Sequence, residues 1–489
     1  MTIRLTTTKG LPDGVQRPGY SRDAHGPGIV HIGLGAFHKA HQAVYTDDAL
    51  AALGGDWRII GVSLRSEAPA VELVPQNGLY TVIDRSATGS RPRVIGAFAA
   101  TLCLQTDRNA VLNALIAPAT RIVSITVTEK GYGIDRTTGG IDRTHPAIDA
   151  DLEDPNQPQG LAGLLVWALG KRRAAGIAPF TVLSCDNLPE NGSLLRGLLM
   201  DFARHSTPDL TDHIASDVAF PSTMVDRITP ARTKETLVLT EEMVGRRDKA
   251  AIETEAFRQW VIEDHFPTGR PQWEAGGAIF VPDVRPYENM KLRMLNGTHS
   301  LLAYAGFLAG HRYVRDVMAD ANLVTLLRRH LLAASATLDP LPGVDFSSYA
   351  AELEDRFRNP HLAHETYQIA MDGSQKMPQR IFAPAAEALE KDQPIDTFAL
   401  ATAAWIRYTF GSTDGGEAYD LRDPRADELR RPGLGEDPWT VVKARLALPG
   451  LCPAALRENQ TWQHAVTAQL AKFMQDGAEN TIRRMATQD

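Results

Sequence analysis

An α/β domain built on a parallel sheet, followed by a mostly α-helical domain, is the architecture this sequence predicts, on three observations. First, GIVHIGLG (28–35) is an apolar strand running into glycines, followed by a helix-patterned stretch (36–53) and a second strand, WRIIGVSL (57–64). That order is a βαβ unit, which joins parallel strands. Second, strand and helix patterns keep alternating as far as Val284, whereas from Asn289 only amphipathic helical patterns remain. Third, 489 residues are too many for one ordinary core. The boundary is therefore placed near 285, giving domains 1–285 and 286–489.

Taken in order, residues 1–27 are rich in Gly, Pro and charge and read as an arm or extended lead-in. After the βαβ unit, GLYTVIDR (78–85) and RVIGAFAA (93–100) alternate as the two strands of an inserted hairpin. A helix over 106–117 leads to RIVSITVT (121–128), an almost uninterrupted β-branched run and so a buried parallel strand. Residues 142–160 are rich in Pro, Asp and Asn and read as a long loop. Helix 161–175, strand FTVLSC (180–185), helix 191–205 and the run DVAFPSTMVDRI (217–228) extend the α/β pattern. The second domain then reads as successive helices, among them 289–309, 319–336, 347–358 and 397–409.

Composition excludes several function classes. A net charge of −8 and a pI near 6.0 argue against a nucleic-acid or anionic-membrane partner. Cys103, Cys185 and Cys452 lie far apart, with no CxxC pair and no zinc-site spacing, so no disulfide framework and no metal site are expected. Cys185, in an apolar run, reads as a small buried hydrophobe. The start, MTIRLTTTKGLPDG, has no apolar signal region, and no stretch reaches the ~18 apolar residues of a membrane span. The expectation is a cytoplasmic protein, monomeric or weakly oligomeric, with a small-molecule substrate.

The first chemistry-bearing feature is the turn Gly33-Leu-Gly35-Ala36-Phe37-His38. It matches the first two glycines of the dinucleotide fingerprint GxGxxG, with His38 in place of the third. The first glycine permits a tight turn, the second lets backbone amides approach a pyrophosphate, and the helix start supplies unpaired N–H groups. Between a strand and a helix, the turn marks a Rossmann-type cofactor site. Ribose recognition falls to the end of the second strand, Leu64-Arg65-Ser66-Glu67. Arg65 with Ser66 suits a 2′-phosphate and Glu67 a free 2′-hydroxyl, so NAD and NADP both stay open.

The second feature is Tyr287-Glu-Asn-Met-Lys-Leu-Arg-Met-Leu-Asn-Gly-Thr-His-Ser300. On a straight α-helix, with Lys291 at zero, Glu288 falls near ~60°, His299 near ~80°, Asn296 near ~140° and Arg293 near ~200°. One face thus carries a carboxylate, an amine, an amide and an imidazole, costly to bury unless they bind each other or a ligand. The chemistry suits metal-free alcohol oxidation. A desolvated lysine is a competent base, an amide donates to an alkoxide, His holds a hydroxyl and Glu relays the proton. A surface helix with a Glu288–Lys291 pair is the other reading of the same pattern. Thr128-Glu-Lys-Gly-Tyr132 and Ser184-Cys-Asp-Asn187 each follow a buried strand, where ligands of such folds sit. Asp372-Gly-Ser-Gln-Lys376-Met-Pro-Gln-Arg380 is a turn with two cations.

These segments together resemble the mannitol dehydrogenase/fructuronate reductase family of long-chain polyol and sugar-acid dehydrogenases. The resemblance runs through GIVHIGLGAFHKAHQA, VTEKGY, TVLSCDNLPENG, FPSTMVDRITP, FRQWVIEDHF, MKLRMLNGTHS and MDGSQKMPQR, over roughly residues 28–420. It implies Lys291 as general base, Asn187 and Asn296 as an oxyanion hole, His299 as a substrate ligand and Glu288 as the gate of a proton path. Val225 and Asp226 would line the substrate pocket. Gly33, Gly35 and Phe37 would bind a nicotinamide cofactor, taken as NAD, with Glu129 and Lys130 near its nicotinamide end, and no metal would be needed. Ala36, Thr128 and Arg65 are counted with these cofactor contacts from their places in the turn and at the strand ends, although Leu64-Arg65-Ser66 departs from the closest family pattern. KLRMLNGTHS, YQIAMDGSQKMPQR and AAWIRYTFG are most similar to the fructuronate reductase branch, with Lys376 or Arg380 pairing with the substrate carboxylate. Hydride exchange between D-fructuronate and D-mannonate, in a cleft between the domains, is the expected reaction. Oxidation of mannitol or arabinitol is the enzymatic alternative, and an NAD-binding regulator the non-enzymatic one.

Overall fold

The structure, a computed structural model, describes residues 3–87, 89–135, 138–361, 364–433 and 435–488. The chain divides into two compact units, Met1–Arg285 and Pro286–Asp489. Strands of the first unit are β1 (Pro27–Ile32), β2 (Arg58–Ser63), β3 (Tyr80–Ser86), β4 (Gly89–Ile95), β5 (Phe98–Cys103), β6 (Ile122–Ile125), β7 (Thr181–Ser184), β8 (Thr223–Asp226), β9 (Ile252–Glu255), β10 (Gln259–Glu263) and β11 (Ile279–Val281).

Five of these form one parallel sheet in the order β5-β2-β1-β6-β7. The chain winds outward from β1 in one direction, then returns to build β6 and β7 on its other side. Strand order therefore reverses between β1 and β6, the position at which such sheets open a ligand crevice at their carboxyl ends. Both faces are covered. Val30, Ile32, Val123 and Ile125 pack with the helices Arg108–Ile116, Leu161–Ala174 and Asn191–Ser206, while Ile29, Ile59 and Ile122 pack with Gln42–Leu53, Trp260 and Trp273. Burial on both sides is why these strands read as continuous apolar runs.

Several expectations are corrected. The stretch read as one helix, 36–53, is two: α1 (Ala36–Ala40) and α2 (Gln42–Leu53), broken at His41 (φ −117°, ψ −95°). The carbonyls freed at the break have side-chain donors, Tyr80 Oη to Lys39 O at 2.6 Å and Arg227 Nη1 to Ala40 O. RVIGAFAA is not one hairpin strand. Its first part belongs to β4, antiparallel to β3, and its second part opens β5, the edge of the main sheet. Buried Asp47 holds the corner, accepting from Gly96 N at 2.9 Å and Arg93 Nη2 at 2.8 Å. The loop 142–160 contains a helix, Pro146–Glu153, opened by a proline at its first position. β9, β10 and β11, too short to show a period, complete two small sheets, β4-β3-β9 and β11-β10-β8. The lead-in is packed, with Leu5, Leu11 and Val15 buried beside Leu79, Val94 and Val244.

The second unit contains no named strand among the described residues. Its central element starts as α3 (Arg285–Met290), widens into a π-helical stretch (Lys291–Asn296) and continues as α4 (Gly297–Leu308). α4 is buried on nearly every side, by α5 (Ala321–Ala336), α6 (Asp396–Tyr408) and the C-terminal α7 (Gln460–Thr487). A helix apolar all round belongs inside a bundle. A second π-helical stretch, Pro378–Phe382, lies against the first.

Candidate active site

In the first unit, the glycine turn leaves β1 at the reversal point. Gly33 has φ +97°, and a Cβ there would stand 2.0 Å from Thr126 O, so backbone conformation and strand approach both demand glycine. The turn is fixed from beneath: Gly33 N donates to Val62 O at 2.8 Å, and Thr126 Oγ1 donates to Gly33 O at 2.9 Å. Gly35, which precedes α1, differs. A Cβ on it would meet nothing nearer than Gly33 O at 3.8 Å, so this glycine keeps an open side. That is the fit expected of a cradle for a pyrophosphate. Ala36 and Phe37 are half-buried beside it. His38 stacks on His31 with ring centroids 3.3 Å apart, so a ring pair occupies the place of the third glycine's close backbone approach. Burial drives its pKa well below the ordinary value, leaving a neutral ring.

After β2, Arg65, Ser66 and Glu67 are exposed. The Ser66 hydroxyl accepts from Ala68 N at 3.2 Å and its carbonyl from Ser63 Oγ at 2.6 Å. Beyond β6, Thr128, Glu129 and Lys130 are exposed, the last two within a 3₁₀ turn, Glu129–Tyr132. Beyond β7, Asn187 is exposed on a loop tied down on both flanks. On one flank, Asp186 Oδ2 accepts from Val127 N at 3.0 Å and from Tyr132 Oη at 2.5 Å. On the other, Asn191 Nδ2 donates to Asp186 O at 3.0 Å and to Thr223 O at 2.9 Å. Thr223 begins β8, on which Val225 and Asp226 are buried opposite Trp260 and Gln259. The sequence reading missed Asp186, Tyr132, Asn191 and Arg227. Each lies inside a segment already singled out, yet nothing local marks it as the residue that holds the segment in place.

In the second unit, Lys291, Asn296 and His299 are 8%, 8% and 7% exposed, and Glu288 is half-buried. The straight-helix construction needs correction here. Gly297 N donates to Leu292 O, an i→i+5 bond, and the wider π turn reduces the angle between residues five apart. Lys291 and Asn296 are such a pair, so they lie closer to one line than the α-helical ~140° allows. π stretches recur at functional sites. Arg293 points elsewhere, forking onto Glu387 at 2.6 and 2.7 Å and donating to Thr337 O at 2.9 Å. His299 Nε2 is buried without a hydrogen-bond partner among the described residues, its ring beside Phe357 and His364. Burial first, then His364, Arg380, Arg356 and Lys291, push its pKa well below the usual range.

Arg380, in the second π stretch, makes two long contacts at 3.4 Å, to Asn296 O and Ser300 Oγ, and burial lowers its pKa. Lys376 is already engaged, donating to Met371 O at 2.6 Å and Ile369 O at 3.2 Å, with its pKa lowered to about 8 by burial and then by Arg380. Cys103, Cys185 and Cys452 are buried free thiols. Among the described residues no three His, Cys, Asp or Glu side chains are grouped to hold a metal ion, and no helix is long and apolar enough to cross a membrane.

Residues 27–275 match the mannitol dehydrogenase Rossmann domain and residues 283–474 the mannitol dehydrogenase C-terminal domain. The chain is 42% identical to an uncharacterized oxidoreductase of Escherichia coli (strain K12), over 96% of this chain and 97% of that one. It is 41% identical to the D-mannonate oxidoreductase of the same organism, with the same coverage. Among solved structures it is similar to Pseudomonas fluorescens mannitol 2-dehydrogenase in ternary complex with NAD and D-mannitol, at 36% identity, TM-score 0.84 and full coverage of both chains. With both domain models matched in order and relatives above 40% identity along almost the whole length, the chain belongs to the mannitol dehydrogenase family of oxidoreductases.

Proposed function

We propose that this oxidoreductase uses NAD to interconvert D-fructuronate and D-mannonate. Bound NAD supplies the hydride acceptor, and NADH the hydride donor. For the first unit, the reading assigns the open side of Gly35, with Ala36 and Phe37, to the pyrophosphate, and Arg65, Thr128, Glu129 and Lys130 to the rest of the cofactor. For the second, Lys291 Nζ takes the hydroxyl proton on oxidation and returns it on reduction. Asn296 and, from the loop after β7, Asn187 donate to the reacting oxygen, where charge develops. His299 Nε2, neutral and without a partner among the described residues, engages a neighbouring substrate hydroxyl, while Glu288, half-buried, passes the proton outward. Val225 and Asp226 are assigned to the substrate pocket.

The observation that carries an acid over a neutral polyol is the charge around His299. After burial, the groups that lower its pKa are His364, Arg380, Arg356 and Lys291, and since burial holds His364 itself below the ordinary histidine range, the two guanidinium groups supply the lasting positive charge. Among the described residues, the hydrogen bonds Arg380 makes are long ones to neutral oxygens, and a guanidinium fork matches a carboxylate. Lys376, spent on backbone carbonyls, is the weaker candidate of the two. A polyol reading is favoured by the same Lys376 contacts and by likeness to the mannitol 2-dehydrogenase, so the substrate pair decides. The test compares kcat/KM for D-fructuronate and D-fructose with NADH, in the wild type and in Arg380→Ala. A preference for the acid of about 100-fold, or ~2.7 kcal/mol, that Arg380→Ala largely abolishes is the expected result. Equal or reversed preference in the wild type makes the protein a polyol dehydrogenase.

A further inference from the structure

We propose that Asp186 is a positioning residue whose carboxylate clamps together the loops after β6 and β7, holding Asn187 at the angle hydride transfer requires. This rests on the assignment of Asn187 as a donor to the reacting oxygen. The geometry is that of a clamp rather than a surface turn. Oδ2 takes the N–H of Val127, the first step beyond Thr126 that holds the glycine turn, and the hydroxyl of Tyr132, which closes the Glu129–Tyr132 turn. Tyr132 Oη also lies 2.9 Å from Ser184 Oγ at the end of β7. The backbone of the same aspartate is seized from the opposite side, through Asn191, by Thr223 on β8. One residue therefore sets the spacing of three sheet-end segments, the first carrying Glu129 and Lys130, the second Asn187, the third Val225 and Asp226.

The clamp is built to work as an anion. A carboxylate accepting a hydroxyl at 2.5 Å and an amide at 3.0 Å is held firmly, and protonation removes the charge that strengthens both bonds. Burial nonetheless raises the Asp186 pKa to about 6, against the lowering effect of the Tyr132 and Val127 hydrogen bonds. Among the described residues, what acts on its carboxyl besides burial is the pair of hydrogen bonds from Tyr132 and Val127, with no charged group among the causes. Burial pushes the Tyr132 hydroxyl and the Cys185 thiol far up, so both stay neutral, Ser184 and Asn191 are uncharged, and Glu129 and Lys130 on the adjoining turn are exposed. As pH falls through about 6, Asp186 takes up a proton and the clamp loosens.

The experiment measures kcat/KM in the reductive direction between pH 5.5 and 8, in wild type, Asp186→Asn and Tyr132→Phe, with thermal melts at each pH. Wild type is expected to lose activity as pH falls, with a midpoint near 6. Asp186→Asn is expected to lower kcat about tenfold at pH 7.5 and to abolish that limb, since nothing is left to titrate. Tyr132→Phe removes a bond that favours the anion, so its limb moves to higher pH. A limb that stays in place in folded Asp186→Asn overturns the proposal, as does a Tyr132→Phe limb that does not move. Lys291→Ala is run beside them: if it turns over normally the site reading fails, whereas a dead Lys291→Ala with an unmoved limb sinks the clamp alone.

Discussion

Replacing Gly33 and Gly35 separately by alanine splits a structural glycine from a ligand-facing one. At Gly33 the backbone has φ +97°, which costs an L-residue roughly 1–2 kcal/mol, and the new methyl would stand 2.0 Å from Thr126 O. Relieving that overlap moves β1 away from β6, and forced repacking of this kind costs about 1–3 kcal/mol more. The sum, roughly 2–5 kcal/mol, lowers Tm by about 2–4 °C per kcal/mol in a domain of ~150–250 residues, so a fall of order 10 °C is expected. At Gly35 the backbone is extended (φ −111°, ψ −174°) and the nearest atom to a Cβ is 3.8 Å away. Alanine fits there, and its smaller unfolded-state entropy adds about 0.4–1 kcal/mol of stability. Its methyl nevertheless occupies the side assigned to the pyrophosphate, so NADH affinity falls tenfold or more, which is ~1.4 kcal/mol or above. Thermal unfolding by circular dichroism and NADH titration by fluorescence separate the two effects. If Gly35→Ala binds NADH as the wild type does, the cofactor does not lie over this turn. If it melts as low as Gly33→Ala, the open side does not exist.

Two further outcomes follow from the packing and the buried histidines. A Cβ on Gly297 would stand 2.9 Å from Arg380 O and 3.2 Å from His330 Nε2, so Gly297→Ala pushes the two π stretches apart. A loss of about 1–3 kcal/mol in stability and up to ~100-fold in kcat, with NADH affinity unchanged, is expected, and unchanged kcat refutes the idea that their approach positions Lys291 and Asn296. Burial lowers the pKa of His31 and His41 to about 3 and of His330 to about 4. Below pH 6.5 the unfolded chain binds these protons and the folded one does not, so stability falls as pH falls. At pH 5 each histidine contributes a loss of about 2 kcal/mol. Asp47, Asp186 and Asp248, with raised pKa values, titrate in the opposite sense and offset part of it. Thermal melts at pH 7.5 and pH 5 check this, and equal Tm at the two values contradicts it.

Whatever a local period can encode was readable along the chain. Four strands of the parallel sheet, β1, β2, β6 and β7, are largely buried apolar runs that stand out, whereas β5 alternates and reads as part of a hairpin; the glycine turn is visible because its backbone excludes other residues. The helix through Lys291 and His299 was legible because a buried face bearing an amine, an amide and an imidazole has no cheap structural explanation. Features in which a buried polar group finds a partner far along the chain emerge only when the elements pack. The break at His41 depends on Arg227, 187 residues beyond the Ala40 carbonyl it serves. The parting of β4 from β5 depends on Asp47, 49 residues before Gly96. The π widening at Lys291–Asn296 accompanies the approach of Arg380 O to Gly297, and Asp186 reads as an ordinary turn residue until Val127 and Tyr132 are brought to it. Hydrophobic periodicity reports which face is buried. It carries no information about which distant donor will satisfy a particular carbonyl or carboxylate, because that is settled by three-dimensional proximity once the faces have packed.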